Sequence, residues 1–269
     1  MTSAPEPEPQ AAPSRSNAQH PETPQPVGRT VGAAFARVVV PGVLYALDLA
    51  VHLVAITTHA DTLAAVTQGL LMPLLAVVVL AASTRPLARV TRWALVALGL
   101  SWLGDVLPNA SSGDGAFLLM VGAFLLAQAA YVTAFWPDRR RVRPLTVACY
   151  AVAFGALVAV CAPHAGGMLV PVVVYGVVLT TMAVLSSGLG RVAALGGAVF
   201  FVSDGLIALG HFAGHPAGTA GGVVVMSTYA VGQALLAAGV LHRASADDVP
   251  AAPAAARRGP RARPRPAVP

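Results

Sequence analysis

Long apolar stretches separated by short polar connectors run through residues 32–242. Eight of them, at 32–56, 63–82, 90–107, 115–136, 144–162, 167–187, 191–212 and 219–242, are each long enough to cross a hydrocarbon core of about 30 Å as a helix. Lipid offers no partners to backbone N–H and C=O groups, so a spanning segment must satisfy them internally. The pattern therefore predicts an all-α, polytopic membrane protein of eight transmembrane helices, with a transmembrane domain over 31–243. Residues 1–30 are rich in Pro, Glu, Gln and Ser and read as a disordered tail, without the charged-then-apolar order of a signal peptide. Residues 244–269 read as a second disordered tail, basic and rich in Pro and Ala.

Charge orients this bundle. Arg85, Arg89 and Arg92 fall in one connector, Arg139, Arg140, Arg141 and Arg143 in another, and Arg191 in a third, while the connectors between them carry no arginine. The positive-inside rule then places both termini in the cytoplasm. Composition agrees: 56% of residues are hydrophobic and 10% charged, far from the roughly quarter of charged residues in soluble domains, and mean hydropathy is +0.71. All 17 basic residues are arginine, and Ala, Val, Gly and Pro are heavily used, which suggests a GC-rich bacterial genome and a bacterial plasma membrane. A net charge of +6 would fit nucleic acid, but the arginines sit in loops and in the tail (Arg257, Arg258, Arg261, Arg263, Arg265), where membrane lipids are the expected partners. Cys149 and Cys161 share one predicted helix about 18 Å apart, beyond disulfide reach, and read as core residues.

Against this background two carboxylates stand out, in Ser101-Trp102-Leu103-Gly104-Asp105 and Phe200-Phe201-Val202-Ser203-Asp204. An aspartate at the centre of a spanning helix costs about 2.5–3.5 kcal/mol on insertion scales, so it is expected to face the protein interior or a wet cavity. Both helices run outward, which puts the pair in the outer half of the membrane, with Asp48 and His52 of the first helix at similar depth. Asp105 followed by Gln128 and Tyr131, and Asp204 followed by Tyr229 and Gln233, suggest two parallel four-helix repeats bringing the aspartates together. Helical spacing groups Asp105 with Leu98, Ser101, Trp102 and Asn109, and Asp204 with Gly197, Phe200, Ala208 and His211, as pocket linings. Two nearby carboxylates in a low-polarity site resist ionising together, so one serves as acid and the other as base. Cleavage of an ether-like bond through an oxocarbenium ion uses such a pair.

The remaining signals are weaker. Asp48 and His52 read as an intramembrane hydrogen-bonded pair rather than part of a metal site, and His59, His164 and His215 as solvated loop residues. Gly188-Leu189-Gly190 lacks the strand that a dinucleotide fingerprint needs, and Gly99-Leu100-Ser101-Trp102-Leu103 lacks the closing glycine of a nucleophile elbow. No cofactor or metal is expected.

The order of motifs resembles the lysoplasmalogenase, or YhhN-like, family of integral membrane proteins. It runs from Thr67-Gln68-Gly69-Leu70-Leu71-Met72-Pro73, through Trp102-Leu103-Gly104-Asp105 and Phe117 to Tyr131, to Gly197 through Asp204 and Tyr229 to Gln233. The resemblance implies hydrolysis of the vinyl ether of a lysophospholipid substrate, releasing a fatty aldehyde and a glycerophospho-base, with Asp105 and Asp204 as the catalytic aspartates. Gln68, Asn109, Gln128, Tyr131, Ser203, Tyr229 and Gln233 are then expected to position substrate or water. Gln68-Gly69 stands where that family usually has Lys-Pro, and Gln128 where it has histidine. A small-molecule or proton-coupled transporter would use the same carboxylates and would show Gly- or Pro-broken helices, with Pro73 the one candidate. On a purely structural reading the aspartates only join helices.

Overall fold

The structure, a computed structural model, describes residues 27–110, 112–213 and 218–247. Eight α-helices follow one another in these residues: α1 (Val27–Thr57), α2 (Asp61–Ala82), α3 (Arg89–Val106), α4 (Gly113–Phe135), α5 (Pro144–Ala165), α6 (Leu169–Ser186), α7 (Arg191–Phe212) and α8 (Gly218–Asp247). They coincide with the eight apolar stretches, and no strand occurs among the described residues. Seven runs are long and apolar enough to cross a membrane, one of them the 43-residue run Pro144–Ser186. Gly166, at φ +50°, divides that run by ending α5 and turning the chain into α6, a conformation that side chains with a Cβ rarely adopt. Apart from the first residues of α1 and the last of α8, the two expected tails lie outside the described residues.

Short connectors make neighbouring helices antiparallel. The α2–α3, α4–α5 and α6–α7 connectors gather the arginines at one end of the bundle, and the opposite, arginine-free end holds the α1–α2, α3–α4, α5–α6 and α7–α8 connectors. Around the bundle, α1 packs on α2, α2 on α3, α3 on α4, α4 on α6, and α6 on α7. Helix α8 packs most closely on α7 and also touches α1, α2 and α3, so it occupies the middle, while α5 leans mainly on α6 and α7 from outside. The outer surface is apolar, with Leu145 and Val152 each 73% exposed, as a lipid-facing surface requires. Leu71, Leu98, Tyr131, Phe135, Phe200 and Leu236 belong to the main core.

Three details bear on the sequence reading. Helix α2 runs unbroken through Pro73, so the interruption that a transporter reading would look for is not found there. Cys149 is exposed on the lipid side of α5 rather than in the core, and only Cys161 is buried. Both α3–α4 and α7–α8 are closely packed pairs, yet α3 and α7 do not pack on one another, because α8 stands beside both.

At the arginine end, Asp138 in the turn Trp136–Arg141 accepts the Arg243 Nε–H on both oxygens at 3.1 Å, with Arg141 3.6 Å away. This ion pair ties the end of α8 to the α4–α5 connector. Gly188 fits beneath it, since a Cβ there would come 2.6 Å from the Asp138 carbonyl oxygen.

Candidate functional site

Asp105 sits in the last turn of α3, buried, with both oxygens engaged. The Tyr229 hydroxyl of α8 donates to Oδ2 at 2.8 Å and the Gln68 amide of α2 reaches Oδ1 at 3.4 Å. One turn back on α3, Ser101 accepts the Gln233 amide at 3.0 Å, and Gln233 in turn accepts the Tyr131 hydroxyl at 2.7 Å. The Tyr45 hydroxyl of α1 donates to the Ala230 carbonyl at 2.8 Å. This network therefore joins α2, α3, α4 and α8 through residues that are polar at both ends of each bond. In a lipid-immersed bundle such satisfaction is what permits burial of so many polar groups.

Asp204 lies in a different setting. Its Oδ2 accepts the hydroxyl of Tyr175 from α6. The two line a small apolar cavity bounded by α4, α5, α6 and α7. They carry the only side-chain oxygens among the lining residues, and the rest of the wall is aliphatic, aromatic or sulfur-bearing. The cavity runs from Phe117, Cys161 and Phe212 near the arginine-free end to Phe124, Leu179 and Asp204 deeper in the bundle. Helices α4 and α5 both line it without packing closely on each other. Gln128 of α4 is fully buried beside the Tyr175 hydroxyl, and neither atom of its amide group has a well-formed hydrogen bond among the described residues.

Phe124 touches the surroundings of both aspartates. Its ring lines the Asp204 cavity and packs edge-on against Tyr229, the partner of Asp105, with ring centres 5.7 Å apart. It also lies flat over Gly104, where a Cβ would come 2.6 Å from the ring. The glycine of the Gly-Asp motif thus gives room to that ring. The serine of the Ser-Asp motif has a comparable duty: Ser203 donates to the Val225 carbonyl at 3.0 Å and so pins α7 to α8 beside Asp204.

The other expected site residues separate. Asn109 is exposed in the turn Leu107–Ala110, away from both aspartates' partners. Asp48 and His52 do not bond to each other. His52 Nδ1 instead meets Thr67 Oγ1 at 2.9 Å and the Ala64 carbonyl at 3.1 Å, and its Nε2 and Asp48 Oδ2 are buried without partners among the described residues. No group of three or more His, Cys, Asp or Glu among the described residues is placed to hold a metal ion. Tyr175 and Phe124 carried no sequence signal, since each sits inside an uninterrupted apolar run. His211 of α7 stacks on Phe117 of α4, ring centres 3.9 Å apart and 6° from parallel, at the arginine-free end.

Residues 63–240 match the YhhN family. The chain belongs to that family. Over 184 residues it is 33% identical to a lysoplasmalogenase of Mycobacterium bovis, covering 64% of this chain and 69% of that protein, and the same figures hold for a lysoplasmalogenase of Mycobacterium tuberculosis. No solved structure matches. The YhhN match takes in both aspartates, Phe124, Tyr175 and the α8 residues of the network, while Tyr45, Asp48 and His52 precede it.

Proposed function

We propose that this membrane protein hydrolyses the vinyl ether of lysoplasmalogen-like lysophospholipids, with Asp204 as the group that acts on the substrate. The observation that carries this reading is the make-up of the cavity: one carboxylate and one phenol set in an otherwise apolar lining within the membrane-spanning bundle. An alkenyl chain fills apolar space, and a vinyl ether needs a proton delivered to carbon. Asp204 has one oxygen held by Tyr175 and another free to carry that proton. Protonation of the outer vinyl carbon leaves an oxocarbenium ion; water adds to it, a proton returns to the carboxylate, and the hemiacetal collapses to aldehyde and glycerol hydroxyl. Asp105, accepting hydrogen bonds on both oxygens, supplies a fixed negative charge that favours the cation in a low-dielectric site. Of the residues expected to position substrate, Gln128 lies beside the Tyr175 hydroxyl and Ser203 precedes Asp204, while Tyr229 and Gln68 bond to Asp105, and Gln233, held by Tyr131, bonds to Ser101 one turn away.

The test is aldehyde release by the purified protein from a lysoplasmalogen, compared with a lysophospholipid carrying the same chain as an ester. Release from the first alone is the expected result, and fatty acid from the ester at a similar rate would overturn the reading. Tyr175→Phe removes one hydrogen bond to Asp204 without opening the cavity. It is expected to lower kcat about tenfold with KM nearly unchanged. A rise in KM at constant kcat would assign Tyr175 to binding instead.

A further inference from the structure

A groove at the arginine-free end is lined by Asp114 at the start of α4, His164 at the end of α5 and His211 at the end of α7. It adjoins the Asp204 cavity: Phe212 lines both, and Phe117 of the cavity wall stacks on His211. All three polar side chains are exposed, and none makes a hydrogen bond or ion pair among the described residues. The described residues of this end include no Arg or Lys, and among the side chains lining the groove the two imidazoles supply the N–H donors. Three helices thus bring two such donors and one carboxylate to the mouth of an apolar chamber.

We propose that this groove binds the zwitterionic headgroup of the substrate, His164 and His211 donating to the phosphate and Asp114 meeting the ammonium of the base. The inference rests on the hydrolase reading above and adds the site that would select the phospholipid. The spacing fits. His211 and Asp204 lie seven residues apart on one face of α7, about 10 Å along the axis. An extended glycerol phosphodiester bridges a distance of that order, placing the vinyl ether at Asp204 while the phosphate stays at the membrane surface. The stack on Phe117 holds the His211 ring in the groove wall.

Binding of three non-cleavable lipids to the full chain in nanodiscs tests this: a 1-O-alkyl glycerophosphocholine, the corresponding glycerophosphate, and the alkylglycerol without phosphate. Wild type is expected to bind the phosphocholine lipid at least about tenfold more tightly than the alkylglycerol, as hydrogen bonds to a charged group allow. The preference should vanish in the His164→Gln, His211→Gln double variant while alkylglycerol affinity holds. Asp114→Asn should weaken the phosphocholine lipid but not the glycerophosphate. The single His164→Gln variant breaks no contact seen in the structure, so a reduced preference there keeps the result decisive should His211→Gln loosen its stack. A preference unchanged in these variants, or absent from wild type, overturns the headgroup site. Aldehyde release, measured separately, bears on the hydrolase reading: activity without headgroup preference would remove the site alone, and preference without activity would remove the chemistry alone.

Discussion

Asp204→Asn is expected to reduce aldehyde release about a thousandfold while leaving KM within a few-fold of wild type. The amide keeps the shape of the side chain and an oxygen for the Tyr175 hydroxyl, so packing and the bond to α6 survive. What it lacks is a transferable proton, and loss of a positioned general acid typically removes about two to four orders of magnitude. Because binding falls to the apolar wall, substrate affinity should change little, which separates this outcome from misfolding. Asp105→Asn should act more mildly, about a hundredfold, since it removes a fixed charge rather than a group at the reacting carbon. Unfolding in detergent, followed for both variants, distinguishes this from the purely structural reading, in which stability falls and turnover per folded molecule does not. Full activity in Asp204→Asn would refute the mechanism, and full activity in Asp105→Asn would refute a role for the pair.

The second large effect concerns the seam between α7 and α8. A Cβ on Gly196 would come 2.7 Å from the Leu236 nitrogen and 3.0 Å from the Gly232 carbonyl oxygen, one on Gly232 would come 3.0 Å from the Phe200 nitrogen, and one on Gly239 would come 2.5 Å from the Ala193 Cβ. These are backbone approaches that no rotamer change can relieve. Small residues at such a seam let two helices gain van der Waals contact where lipid offers no hydrophobic drive for association. Gly196→Leu is therefore expected to pry α7 from α8 at a cost of about 3 kcal/mol or more, beyond ordinary overpacking. It should also move Asp204, through Ser203 and its bond to the Val225 carbonyl. Thermal unfolding in detergent checks the first consequence, and a stability equal to wild type would show that the seam yields.

Much of the architecture is legible in the sequence, because lipid leaves a chain few options. Apolar length gave eight helices within a few residues of their ends, and the two aspartates were conspicuous for their cost. The partners were not legible, for physical reasons. Tyr229 lies 124 residues from Asp105, and Tyr131 lies 102 from Gln233, so these bonds depend on which helices become neighbours. Tyr175 sits in Val-Val-Val-Tyr-Gly-Val-Val, where an aromatic ring is unremarkable in an apolar helix. Matching motif contexts suggested that the aspartates share one chamber. In the structure each has its own tyrosine, Tyr229 for Asp105 and Tyr175 for Asp204, and the Phe124 ring touches the surroundings of both. Helical spacing did put His211 on the face of Asp204, but the groove it forms with His164 and Asp114 required three helix ends to converge.

The central place of α8 bears on the order in which the protein matures. Tyr229, Gln233 and Arg243 all come from this helix, and through them Asp105, Ser101 and Asp138 obtain their partners. While the ribosome is still making the last span, the nascent bundle holds a carboxylate in α3 without its tyrosine and an aspartate at the arginine end without its guanidinium. Arrival of α8 completes both at once, so the Asp105 network and the ion pair at the arginine end close in the same step.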